Sequence, residues 1–131
     1  MIRNLEIATS LLHKGSVLHI PSVIFSTGVT KSKYCVLTED GNAFWKKGCI
    51  VGCLTTSKIP TPLKPWQVAV GEGFKILGPN QKGTTYIDCR NKISLKENQI
   101  KKCNYLGSLP NDIEILFDNA LKMADAYEQA F

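Results

Sequence analysis

The clearest pattern of apolar and polar positions lies at the end of the chain. From Asp112 onward, Ile113, Leu116, Phe117, Ala120, Leu121, Ala124, Tyr127 and Phe131 recur at i, i+3 and i+4. That spacing predicts one helix with one apolar face. Pro110, Asn111 and Asp112 suit its start, with acid in the first turn. Upstream the apolar positions come in short runs. Residues 16–20 (SVLHI), 34–38 (YCVLT), 66–70 (WQVAV), 74–77 (FKIL), 84–89 (TTYIDC) and 93–95 read as strands bounded by Gly and Pro. Pro21 is expected to close the first strand, although the first half of residues 22–33 could extend it. Residues 26–33 are rich in Ser, Thr, Gly and Lys and read as an exposed loop.

Asp40-Gly41 is a strong hairpin-turn signal, with residues 43–45 beginning a return strand that Lys46-Lys47-Gly48 interrupts. Residues 79–83 form a second turn. At the other end of the chain, Ile2, Leu5, Ala8, Leu11 and Leu12 fall at helical spacing over residues 2–13, and Gly15 suits the stop. The order is five to seven short strands with a helix at the C-terminal end and a short one at the N-terminal end. It predicts a mainly β, α+β fold: a small, strongly bent antiparallel barrel with helices packed outside.

The stretch 50–60 (IVGCLTTSKIP) is an apolar strand that ends abruptly in Thr55, Thr56, Ser57 and Lys58. Three hydroxyls and a cation at a strand end suit a phosphate, and they equally suit an ordinary strand leaving a sheet.

Composition narrows the partners. The 131 residues are expected to form a single domain, 1–131, with room for one core. A net charge of +5 favours an anionic partner. Lysine carries that charge, since Arg3 and Arg90 are the only arginines. Lysine meets phosphate as a point charge, without the guanidinium fork. The five cysteines are odd in number and mostly sit within apolar runs, which predicts buried free thiols in a reducing compartment. Cys49 and Cys53 have no second Cys/His pair nearby, so no metal or other cofactor is expected. No apolar run reaches the length of a membrane span, and the N-terminus is a poor leader. A cytoplasmic protein is expected.

The order of the pieces resembles the MazF/PemK-like toxin family over roughly residues 14–125. Lys14 to Ile20 stands at that family's opening strand. Lys31-Ser32-Lys33 and the strand 34–38 are similar to its basic residue before an R-P-x-L-V-L-S strand. Thr56-Ser57-Lys58 matches the Thr-Ser-Lys-like end of the next strand. Residues 85–89, Lys101-Lys102, Gly107-Ser108-Leu109 and the last helix resemble the family's ending. Two features depart: the arginine before the second strand is replaced by Ser32 or Lys33, and residues 21–33 contain no Asp or Glu.

The resemblance implies an SH3-like barrel that forms a homodimer. It implies metal-independent cleavage of single-stranded RNA by transfer to the neighbouring 2′-hydroxyl, and inhibition by a cognate antitoxin protein. That chemistry needs a base, an acid and donors for the pentavalent phosphate. Lys31, Lys33, Thr56 and Ser57 are the candidate catalytic residues, and Lys58, Trp66 and His19 the candidate RNA contacts. Trp45, Phe44 and Tyr86 can stack bases or fill core, and Trp66 is the one expected at a rim. Lys92, Lys96, Lys101 and Lys102 form a basic run that either tracks phosphates or is simply solvated. The alternatives are a catalytically inactive barrel of the same fold, binding nucleic acid or a protein partner, and a purely structural homodimer.

Overall fold

A computed structural model describes residues 9–24, 27–28, 30–56, 62–70 and 85–130. Ser57, Lys58 and the segments 74–77 and 79–83 lie outside these residues, as does most of the N-terminal helix. Its described end, residues 9–11, is helical and leads to the buried Leu12. The elements that follow are β1 (Ser16–Ile24), β2 (Thr30–Leu37), α1 (Asn42–Lys47), β3 (Ile50–Thr56), β4 (Gln67–Ala69), β5 (Tyr86–Leu95), α2 (Glu97–Ile100), β6 (Asn104–Ser108) and α3 (Asn111–Ala130). The strands form one six-stranded sheet in the order β4-β5-β3-β2-β1-β6, with every neighbouring pair antiparallel. The fold is the expected α+β one, a curled antiparallel sheet with a C-terminal helix.

Several boundaries differ from the pattern reading. The strand containing Pro21 does not stop there: β1 runs on to Ile24. The register between β1 and β2 shifts between Ile20 and Val23, and Pro21 sits in that bulge, where the ladder asks for no N–H. The polar residues Thr30 to Lys33 are not loop. They pair with the continuation of β1, Val23 opposite Lys31 and Ile24 opposite Thr30. Backbone pairing decides there, and composition does not.

Asp40-Gly41 turns the chain into helix α1 rather than into a hairpin. The Asp40 carbonyl accepts from Ala43 N, while Glu39 reaches forward to Val51 N at 2.9 Å. Gly41 is required, because a Cβ there would lie 2.0 Å from the Thr9 carbonyl oxygen. Gly48 ends α1 in the left-handed conformation, φ 80°, and donates to the Phe44 carbonyl.

The two segments 84–89 and 93–95 merge into the ten-residue β5, bent where its register against β3 shifts between Cys53 and Thr55. The segment before the last helix forms β6, which pairs with β1 and carries Gly107 at φ 136°. These bulges curl the sheet.

Strand alternation sorts the apolar residues into two cores on opposite faces. Leu18, Ile20, Cys35, Leu37, Ile50, Leu54 and Leu95 form the first, closed by Leu12, Phe44 and Ile100. Val17, Val36, Cys53, Ile87 and Cys89 form the second, under α3. Phe117, Ala120 and Ala124 are the buried stripe of α3, with Ile113 and Leu121 flanking it. Leu116 was expected on that stripe but is 51% exposed. The small Ala120 and Ala124 let the helix lie close, which centres the contact on Phe117 and turns Leu116 outward. All five cysteines are free thiols. No described helix is long and apolar enough to cross a membrane.

Candidate active site

The ends of β2 and β3 carry two of the expected residues. Cys35 lies opposite Leu54. One step further along that register Tyr34 meets Thr55, whose Oγ1 donates to the Tyr34 carbonyl at 3.4 Å. Lys33 and Thr56 stand two residues beyond that ladder's last pair, Cys35 and Leu54, each on its own strand. Thr56 pairs with Tyr86 of β5, and Lys33 pairs with Ile20 of β1. Two pairs, Ile20 with Lys33 and Thr56 with Tyr86, thus make up a row on the face of the first core. Partners in such pairs stand about 4.5–5.5 Å apart at Cβ. Lys33, Thr56 and Tyr86 are half-buried, unlike the fully buried residues further down the same face.

A carboxylate joins this row that the sequence reading passed over. Asp88 follows Tyr86 by two residues and so shares its face, while Ile87 and Cys89 between and after them enter the second core. Asp88 is half-buried, lies opposite Gln67, and its Oδ1 accepts from Arg90 N at 3.1 Å. The signal was available in the alternation of Tyr86-Ile87-Asp88-Cys89. An ammonium, a hydroxyl, a phenol and a carboxylate on one open strand end can hold a phosphate and accept or return a proton.

The other candidates are placed elsewhere. Lys31 lies two residues before Lys33 on β2, opposite Val23. His19 pairs with Tyr34, one residue out of phase with Lys33, so the pleat puts it on the other face. Its ring lies 5.3 Å from that of Tyr34, and its Nδ1 accepts from Asn104 Nδ2 at 3.3 Å. His13 is tied to the far end of the sheet: Nδ1–H donates to the Lys14 carbonyl at 2.7 Å, and Ser108 Oγ donates to Nε2 at 2.9 Å.

Trp66 is half-buried. Its ring lies 4.7 Å from that of Tyr127 at a tilt of 49°, and the Arg90 guanidinium lies 4.0 Å from the Tyr127 ring and 5.1 Å from Trp66. That cation–π pair commits Arg90 to holding α3 on β5. Phe44 is core, and Trp45 is 57% exposed with Nε1 donating to Thr9 Oγ1 at 2.9 Å. Of the basic run, Lys92 pairs with Asp125 at 3.3 Å and Lys101 with Glu97 at 3.0 Å.

Among the described residues no group of three or more His, Cys, Asp or Glu is placed to hold a metal ion. The buried thiols are inert as nucleophiles: desolvation pushes Cys35 up, contact with Cys53 and burial push Cys89 up, and burial pushes Cys103 up to about 11.

The curled sheet, the helix across one face and the open strand end define the class: a small antiparallel barrel of the MazF type. No protein family and no curated protein matches the chain by sequence. Solved structures do match it. A mycobacterial endoribonuclease in complex with its cognate antitoxin is similar at 19% identity, over 87% of this chain and 94% of that one, with a TM-score of 0.59. A chain of the MazE–MazF complex from Deinococcus radiodurans is similar at 13% identity, over 87% and 95%, with a TM-score of 0.62. MazF alone from the same organism gives 14%, 87%, 96% and 0.59. At these identities the likeness is one of fold.

Proposed function

We propose that the chain is an endoribonuclease toxin that cleaves single-stranded RNA without metal and is held inactive by a cognate antitoxin protein. The observation that carries this reading is the row of Lys33 and Thr56, with Asp88 beside it, at the open end of a fold shared with endoribonucleases. Thr56 and the Lys33 ammonium bind the scissile phosphate, supported by Lys31, Ser57 and Lys58. Asp88 takes the proton from the ribose 2′-hydroxyl. The 2′-oxygen attacks phosphorus, the P–O5′ bond breaks, and the departing 5′-oxygen takes up a proton. The products are a 2′,3′-cyclic phosphate and a 5′-hydroxyl. Thr56 and Lys33 act by stabilising the extra charge on the pentavalent phosphate, Asp88 by proton transfer. As a toxin of this kind the chain acts in the cytoplasm, as a homodimer and as a single domain, 1–131. His19 and Trp66 contact RNA only where it reaches beyond the row.

The test is induced expression of wild type, Thr56→Ala and Lys31→Ala/Lys33→Ala, scored for growth arrest, with purified protein assayed on an RNA panel in EDTA. Cleavage in EDTA by wild type and its loss in the variants are expected. Absence of wild-type cleavage across the panel sinks the enzyme reading, and EDTA-sensitive cleavage sinks the metal-free mechanism. The second reading, a binding barrel without catalysis, is favoured by the lack of any acid in residues 21–33 and by the engagement of Arg90 with Tyr127. Under that reading RNA is bound and left intact.

A further inference from the structure

We infer that the cavity beside Lys33 is a nucleobase pocket, and that it selects a base presenting acceptor atoms, guanine first. The inference takes its ligand class from the RNA reading above, and it fixes which part of the RNA is read and by which residues. The cavity is about 460 Å³, with walls from Ile20, Pro21, Val23 and Ile93 and a rim formed by the exposed Ser22, Gln99 and Lys102. Its place is set by the sheet. Ile20 lies directly opposite Lys33, so the cavity opens one strand away from the row that holds the phosphate. A nucleotide bound at that row has its neighbour's base within reach of it.

The chemistry of the rim chooses the occupant. Gln99 Oε1 accepts from Lys96 N at 2.9 Å, which turns the amide so that its NH₂ is the group left for the cavity. Lys102 is exposed and, among the described residues, makes no ion pair, while Lys101 beside it is taken by Glu97. Gln99 and Lys102 therefore present two donor side chains over aliphatic walls. A planar base between apolar side chains, hydrogen-bonded at its edge, is how single-stranded RNA is read. Guanine offers two adjacent acceptors, N7 and O6, whereas adenine and cytosine place an amino group at that edge. The β1 bulge at Pro21 makes the opening, since it displaces the strand where pairing with β2 shifts. An extended acidic peptide also satisfies a cationic rim, but the adjoining phosphate row favours a nucleotide.

The test is fluorescence anisotropy of labelled RNA pentamers that differ at one position, G, U, A or C, at fixed salt, with the full chain. The expected result is a preference of roughly tenfold for the G pentamer over A and C. Lys102→Met is expected to abolish that preference, and Ile93→Trp, which fills the cavity, to do the same. Lys102→Met changes an exposed residue, so it remains informative if Ile93→Trp lowers Tm. Lys96→Met is expected to weaken all four pentamers alike, as a phosphate contact does.

Equal binding of all four by wild type, or a preference that survives both variants, overturns the pocket. So does a glutamate-rich peptide with one leucine that binds through Lys102 and Ile93 while the pentamers do not discriminate. The same pentamers are scored for cleavage. Cleavage without base preference overturns the pocket and leaves the nuclease. Base preference without cleavage leaves the pocket and overturns the nuclease.

Discussion

Thr55 and Thr56 are adjacent, and the pleat gives them opposite employment. Thr55 turns inward and its Oγ1 donates to the Tyr34 carbonyl at 3.4 Å, while Thr56 turns to the other face, where it pairs with Tyr86. The two hydroxyls are therefore separable by mutation. Thr56→Ala is expected to lower kcat about 10²- to 10³-fold, the cost of one transition-state donor, with Tm nearly unchanged. Thr55→Ala is expected to cost about 1 kcal/mol of stability and to leave kcat near wild type. Cleavage kinetics and urea denaturation of the pair check both halves.

Asp88→Asn tests the proton acceptor. The amide keeps the size and can still take the Arg90 N–H, so folding is expected to be intact. Cleavage is expected to fall about 10²- to 10⁴-fold while RNA affinity is held or rises slightly.

The α3 stripe makes a stability contrast. Phe117 is fully buried and Leu116 is 51% exposed, although both fit the same helical repeat. Phe117→Ala is expected to cost about 3–5 kcal/mol and Leu116→Ala less than about 0.5 kcal/mol. Equal losses in urea titrations would place the helix in a different rotation.

Alkali weakens the fold through its thiols. Burial pushes Cys103 from an ordinary 9.0 up to about 11, and Cys35 moves in the same direction for the same first cause. The folded state holds these protons more tightly than the unfolded chain. Their contribution is fully present below pH 9 and is lost as pH rises through about 11. Chemical denaturation at pH 8, 9.5 and 11 is expected to show a falling ΔG. Cys103→Ser is expected to flatten that fall. A ΔG that rises over this range contradicts the assignment.

The sequence was most legible where one face of an element decides everything. The C-terminal helix and the strand at Ile50 are present as the alternation and the i, i+3, i+4 repeat require. It misled where a partner strand overrides composition. Thr30 to Lys33 have the residues of a loop and become strand because β1 continues past Pro21 to pair with them. Asp40-Gly41 carries a hairpin signal, yet Gly41 serves a close backbone crossing instead. The site was half legible. Thr56 and Lys33 were named from the sequence, but their placement at one end of the sheet depends on the β2–β3 register, which no local pattern encodes. Asp88 lies within the segment 84–89 that reads as strand, and its place on the face of Tyr86 follows from the alternation Tyr86-Ile87-Asp88-Cys89.

Gly41 sets how the beginning of the chain is fastened. The Thr9 carbonyl occupies the volume of any Cβ at position 41, Gly41 N donates to the Leu12 carbonyl at 2.9 Å, and Trp45 holds Thr9 by its hydroxyl. The segment from Thr9 to Leu12 is thereby a plug whose inner end, Leu12, seals the first core. Filling its seat with even one methyl group ejects the plug. A change at one distant glycine would then act like a deletion of the amino-terminal strap, leaving the sheet formed and its core open to water.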